Sequence, residues 1–388
     1  MDATASKKEE AMATETRAVM ANVPRLNEYM DRLRLAAVVL RSGNNFTYLS
    51  GIAYPGTLAR HLDLANSVRG VLLVWPRRGE PVIVLDYAAE GLTRERAWVT
   101  RLEVYEPYVE TAYSRVGKVL RDMGLDGERV GFEKDAMTVA HWEEIQHGLP
   151  RLEMLDCAQM MEEVRWVKTP AEVSLFKRAA DLLDDVYLEV FPTIKAGETE
   201  REVHARMLAS CIRRGAGWAH GILNASTNRV LYAGEGDTPF RRGDIVRTDY
   251  VAFLDGYPGH QSRMAVLGRP SEEQRRQYAL TRDMHRMTIE RCRPGVLASD
   301  IYEAVVSAYA KHGVTYMASL VGHSVGAWFH QQEPILTRSR KVPLEEGMVL
   351  ALEPYREYWH IQDLVVVRKD GPELLSDKFS IEELFTIE

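Results

Sequence analysis

The chain has 388 residues, 46% hydrophobic and 27% charged, with a formal net charge of −7. That is enough for a sizeable core and one to three domains, and the negative balance argues against a nucleic-acid or anionic-membrane partner. No apolar run approaches the ~20 residues that a transmembrane helix needs. Cys157, Cys211 and Cys292 are too few and too scattered for a disulfide framework or a zinc-thiolate site. The first twenty residues are charged and lack an apolar stretch, so they do not read as a secretory signal. A cytoplasmic protein is expected, with residues 1–22 as a tail or short leading helix.

Asn22 to Arg34 reads as an amphipathic helix, with Leu26, Tyr29, Met30 and Leu33 on one face. Leu35 to Leu40 reads as a strand, and SGNNFTYLSG, from Ser42 to Gly51, as another. Val68 to Trp75 and Pro81 to Leu85 are further strands. Val116 to Met123 and His141 to His147 read as helices, with the strand Arg129 to Phe132 between them. This alternation predicts an α/β domain over residues 23–160. In RWVKTPAE, Arg165 to Glu172, Pro170 suits the first turn of a helix and Thr169 its cap. A long helix to about Val190 then opens a second domain, 161–388. Lys195 to Met207 and Arg293 to Val305 form a weak internal repeat, each a Gly, a capping Thr or Ser, and an amphipathic helix. Two similar α/β halves would produce it.

The second domain is organised around Gly243 to Gly268, GDIVRTDYVAFLDGYPGHQSRMAVLG. Two β-prone runs flank Asp255-Gly256, a strong hairpin turn signal. Asp249 stands inside the first run, where a buried carboxylate costs several kcal/mol unless a cation or hydrogen bonds compensate it. His260 opens the second run and is carried back towards Asp249. By itself this leaves a structural pair open, Asp249 with Arg247 or Arg263.

Three more stretches narrow the reading. They are GHSVGAWFHQQEP from Gly322, GMVLALEPY from Gly347 and HIQDLVVVRKDG from His360. With the hairpin they resemble the creatinase/aminopeptidase P/prolidase/methionine aminopeptidase family. NNFTYLSG and the junction before Pro170 resemble that family's N-terminal domain and its boundary. The resemblance implies an α/β (α+β) fold, with a pita-bread C-terminal catalytic domain behind a smaller creatinase-type domain. It also implies a homodimer acting on a small-molecule substrate.

The family's peptidases hold two metal ions with two Asp, one His and two Glu. The resemblance puts Asp249 at the first position, His323 at the His and Glu353 before its Pro. The second Asp falls eleven residues after Asp249, on His260, and the last Glu falls on Gln362. Those two positions bridge the ions, and neutral side chains there cannot offset the repulsion of two dications. A two-metal peptidase is therefore not expected. One alternative is a single Mn, Zn or Fe ion on His260, His323 and Glu353, assisted by Asp249 or Gln362. The preferred alternative has no metal cofactor, as in the family's creatinase branch, which GHSVGAWFH resembles more than it resembles the peptidases.

The expected activity is thus hydrolysis of a C–N bond in a small amide, amidine or cyclic amino-acid derivative. His323, His260 and Glu353 would bind and polarise substrate, and Tyr232 or His330 would handle protons. The creatinase acid/base His falls on Tyr232, with His220 as a possible substitute. Asp249 and Gln362 would contact substrate, and Arg60, His61 and Arg69 would serve a neighbouring subunit's site. Trp328, Phe329, Tyr355, Tyr358 and Trp359 are pocket candidates. The competing readings are a one-ion Xaa-Pro aminopeptidase or dipeptidase and a non-catalytic binding module.

Overall fold

The computed structural model describes residues 20–62, 64–230 and 236–388. Most of the expected tail, and Tyr232 with it, lie outside the described residues. The chain forms two compact units. One runs to Arg165 and includes Thr169–Ala171; the other takes Trp166–Lys168 and Glu172–Glu388.

In chain order the first unit contains α1 (Val23–Leu33), β1 (Ala37–Arg41), α2 (Asn44–Ser50), α3 (Gly56–Leu62), β2 (Leu72–Pro76), β3 (Val82–Asp86), α4 (Tyr87–Arg96), β4 (Arg101–Tyr105), α5 (Ala112–Asp122), β5 (Arg129–Phe132), α6 (Val139–Gly148), β6 (Glu153–Asp156) and α7 (Ala158–Trp166). Six strands form one sheet in the order β4-β3-β2-β1-β5-β6. Strands β1, β2 and β3 are buried at every position, so their apolar runs read continuously rather than in alternation. The stretch NNFTYLSG is the helix α2 and not the expected strand. Asn45 through Ser50 are all buried, and Gly51 ends the helix in the left-handed region at φ 76°. Burial on every side erases the period that tells helix from strand. Helices α3 and α4 and strand β4 lie outside the elements that the sequence predicts.

The second unit contains α8 (Pro170–Val190), α9 (Glu200–Arg213), β7 (Trp218–Ala225), β8 (Ile245–Leu254), β9 (Tyr257–Gln261), β10 (Met264–Leu267), α10 (Glu272–Glu290), α11 (Ala298–Lys311), β11 (Gly322–Ser324), β12 (Gln332–Ile335), β13 (Val349–Leu352), β14 (Asp363–Val366), β15 (Glu373–Leu374) and β16 (Phe385–Ile387). One sheet runs β16-β10-β8-β7, with β9 also on β8; the other runs β12-β11-β13-β14-β15. Helices α8 and α9 bury Leu183, Val186, Val203 and Met207 against Val246 and Tyr250 of the first sheet. Helices α10 and α11 bury Met284, Ile301 and Val305 against Leu350, Leu352 and Val365 of the second.

These are the two halves that the weak repeat implies. Thr199 caps α9 in a capping box with Glu202. The other copy departs from expectation, because Leu297 holds the cap position and Ser299 lies inside α11. There the Ala298 and Ser299 N–H groups donate to the carbonyls of Val342 and Arg340, which replace the missing side-chain cap.

The central hairpin turns at Asp255 and Gly256, both with positive φ, 50° and 82°, as a two-residue type I′ turn requires. Strands β9 and β10 pair with β8 in one continuous register, Val251 opposite His260 and Arg247 opposite Met264. The ladder breaks between them. Ser262 leaves β8 and bridges to Gln362 beside the other sheet, with backbone hydrogen bonds of 3.3 and 3.2 Å. That crossing joins the halves of the unit. Buried Arg263 locks it, donating to the carbonyls of Ser262 (3.1 Å) and Gln362 (2.8 Å) and pairing with Asp184 (3.0 Å) and Asp363 (2.7 Å).

Candidate active site

The crossing sets side chains from both sheets around one centre. Strand β8 supplies Arg247 and Asp249, which lie two residues apart on one face. Strand β9 supplies His260. Its neighbour Gly259 packs so close to α8 that a Cβ there would lie 2.2 Å from the Ala179 carbonyl oxygen, so only glycine fits. Strand β11 supplies His323, the residue after β13 supplies Glu353, and the segment entering β14 supplies His360 and Gln362.

His260 is held from both sides. Its Nε2 donates to Asp249 Oδ1 at 3.1 Å, and its Nδ1 accepts from Gln362 Nε2 at 3.2 Å. Asp249 therefore pairs with His260, and Arg263 is committed elsewhere. Burial pushes the Asp249 carboxyl up, but the hydrogen bond and proximity of His260 outweigh it and hold the group well below the usual carboxylate range.

Glu353 is the opposite case. Burial, reinforced by the charge of Asp249 and opposed by Arg247, raises its pKa well above the ordinary value. Its Oε2 lies 3.2 Å from His360 Nε2 and its Oε1 3.6 Å from His323 Nε2. Burial, with His260 next in effect, pushes His323 down to about 3, and burial against the opposing pull of Asp249 takes His360 to about 3. These pairs have the spacing of ion pairs, but burial works against the charged form of each partner. His323 Nδ1 donates to the Ser324 carbonyl at 2.8 Å, which leaves the Nε2 lone pair towards Glu353. The buried centre thus sets one carboxyl held low beside another pushed up, opposite shifts produced by their different surroundings.

His330 stands beside this set, its ring centroid 4.7 Å from that of His260 and 6.2 Å from that of His323. Its Nδ1 is buried with no hydrogen-bond partner among the described residues. Burial, with His260 next, pushes its pKa down to about 2. The loop that carries it is pinned by Gln332, whose amide donates to the carbonyls of Ala327 (3.1 Å) and Phe329 (2.6 Å). Trp328 N–H ties the same loop to the hairpin turn through the Gly256 carbonyl at 2.8 Å.

The second unit therefore brings together His260, His323, His330, Glu353, Asp249 and Gln362. Arg60, His61 and Arg69 belong to the first unit. Arg60 and His61 lie exposed at the end of α3, and Arg69 Nε is 3.8 Å from Asp86. Of the aromatic candidates, Trp359 is buried in a small apolar cluster with Tyr358 packed on it, so these two are core. Tyr355 lies against His360 at 5.1 Å between centroids. His360 and Ser262 are site residues that the sequence motifs do not mark. The signal for His360 was its spacing of two from Gln362, which places both on one face of an extended segment. Ser262 carried none, since its hydroxyl reaches His360 Nδ1 (3.1 Å) only through the crossing.

The metallopeptidase family M24 model matches residues 174–369, and the creatinase/prolidase N-terminal domain model matches 23–167. The chain belongs to metallopeptidase family M24 and is a hydrolase of that family. It is 27% identical to a Xaa-Pro dipeptidase of Lactobacillus helveticus over 278 residues, which is 68% of this chain and 74% of the relative. It is 25% identical to a creatinase of a Bacillus species over 385 residues, covering 90% and 88%. Among solved structures, an X-Pro aminopeptidase from Thermotoga maritima superposes with a TM-score of 0.79 at 18% identity, covering 94% of this chain and 99% of that one. The Pyrococcus horikoshii prolidase gives 0.76 at 21%, covering 93% and 99%. At these identities the superpositions establish the pita-bread fold alone.

Family M24 implies a divalent metal, and the residues present do not fit a two-ion centre. Gln362 offers no charge, and both nitrogens of His260 are engaged by Gln362 and Asp249. Among the described residues, no three His, Cys, Asp or Glu side chains are grouped to hold an ion. Of the trio expected for a single ion, His260 has both ring nitrogens in hydrogen bonds, while His323 Nε2 faces Glu353 Oε1 at 3.6 Å. No helix among the described residues is long and apolar enough to cross a membrane.

Proposed function

We propose that the chain hydrolyses a C–N bond in a small amide, amidine or cyclic amino-acid derivative without a resident metal. The observation that carries this reading is the Asp249–His260–Gln362 chain, which occupies the positions where a two-ion centre needs bridging carboxylates. Hydrolysis needs one proton removed from water and one delivered to the departing nitrogen. Glu353, held protonated, supplies a donor. The His323 Nε2 lone pair supplies an acceptor, and Glu353, once ionised, is regenerated from it. Asp249 fixes His260 and places negative charge opposite any positive charge that develops on substrate. His330 would contact substrate beside them.

The test is turnover by protein stripped with EDTA and shown by elemental mass spectrometry to hold no metal. The panel is small amides, amidines and Xaa-Pro dipeptides. Turnover of an amide or amidine by stripped protein supports the reading. Activity confined to Xaa-Pro dipeptides and dependent on added Mn or Zn overturns it and favours the second reading, a one-ion Xaa-Pro peptidase. That alternative draws on the names of the relatives and on the free His323 lone pair near Glu353. A homodimer in which Arg60, His61 and Arg69 serve a neighbouring site belongs to the same proposal, and light scattering measures it.

A further inference from the structure

A file of rings leads out of the acid–base centre along one wall. His323 lies 5.2 Å from His260 between centroids, His260 4.7 Å from His330, His330 5.2 Å from His220, and His220 4.7 Å from Trp218. Trp218 and His220 alternate on β7 and so share a face. Their partners across β8 are Phe253 and Val251. Trp218 stacks on Phe253 at 5.2 Å with an interplanar angle of 18°. At the outer end Trp218 is 51% exposed, and Phe329, 4.9 Å from His330, is 42% exposed. Large aromatics left this open are unusual on a folded surface. Here they continue, ring by ring, into the buried reacting groups. The inner end meets Asp249, which His260 contacts at 3.1 Å, and Glu353, 3.6 Å from His323.

We propose that Trp218 and His220 are specificity-determining residues, and that the substrate carries a flat unsaturated ring that packs along this wall while its C–N bond reaches Glu353 and His323. The inference deepens the amide and amidine reading above and rests on it for which end of the substrate reacts. The occupant follows from continuity. A wall that ends at the catalytic groups is filled by what those groups act on, and aromatic rings, whether stacked, tilted or edge-on, reward an aromatic partner over a saturated one of equal bulk.

The test is binding, so it does not need turnover. Metal-stripped protein is titrated calorimetrically with benzamide and with cyclohexanecarboxamide, which match in size and differ in planarity. Benzamide is expected to bind about 3- to 10-fold tighter, as one or two aromatic contacts provide. Trp218→Leu, which keeps apolar bulk, and His220→Ala should each bring that ratio close to one. Equal affinities in the unsubstituted protein overturn the proposal, as does a ratio unchanged in both variants or no measurable binding of either probe. A change in molecular mass by light scattering on Trp218→Leu, without a change in the ratio, also overturns it and assigns the rim to contact between copies. Loss of metal-free hydrolysis with the ratio intact would defeat the functional reading and leave the wall standing.

Discussion

Gln362 donates its side-chain amide to His260 Nδ1 across 3.2 Å, although the two residues lie 102 positions apart. Their backbones are brought together at the crossing of Ser262 and Gln362, where the two sheets of the second unit meet. With the Asp249 contact on the other nitrogen, the bond holds the His260 ring from both sides and occupies both of its nitrogens.

Restoring carboxylates at these two positions should restore metal binding. The double variant His260→Asp, Gln362→Glu completes the family's five-ligand set with Asp249, His323 and Glu353. It is expected to retain about two Mn or Zn ions per chain after dialysis, against none for the unsubstituted protein. Elemental mass spectrometry checks this.

The catalytic pair should govern the pH profile. Activity requires the His323 lone pair free and Glu353 protonated. It is therefore lost as pH falls through the His323 value, depressed to about 3, and as pH rises through the elevated Glu353 value. Glu353→Gln should abolish the alkaline limb along with most of the rate, as shown by kcat/KM against pH.

His323→Ala should reduce turnover by roughly 100-fold or more, the usual worth of a positioned proton-transfer group. Circular dichroism should be unchanged, because the ring's hydrogen bond within the fold is to the carbonyl of the adjacent Ser324. Full activity would remove His323 from the mechanism.

Arg263→Met should destabilise the protein by about 3–5 kcal/mol. It leaves Asp184 and Asp363 buried without their cation and unpins the carbonyls of Ser262 and Gln362. Urea denaturation measures the loss. A change below about 1 kcal/mol would show that the crossing does not depend on this guanidinium.

The first unit has its own pH response. Burial raises the pKa of Glu133 to about 7 from 4.5, against hydrogen bonds from Asn45 Nδ2 and the Arg41 N–H, both at 2.5 Å. The folded state then binds a proton that the unfolded state has released. Stability is highest below pH 4.5 for this group and falls by about 3 kcal/mol as pH rises to 7. Thermal melts of Glu133→Gln should lack that slope.

Local chemistry was legible in the sequence wherever it acts over a few residues. The Asp255-Gly256 turn, the strand around Asp249, the Thr199 cap and the helix from Pro170 to Val190 all follow from turn geometry, capping and period. The set Asp249, His260, His323, Glu353 and Gln362 came from motif resemblance, because their convergence spans more than 100 residues and no local rule encodes it. Tertiary structure alone decided the rest. Burial on every side made NNFTYLSG a helix. The sheet crossing brought in His360 and Ser262, and the opposite electrostatic surroundings of Asp249 and Glu353 shift their proton affinities in opposite directions. Side-chain protonation and long-range pairing depend on what the folded chain packs around each group, and that is fixed only when both sheets are in place.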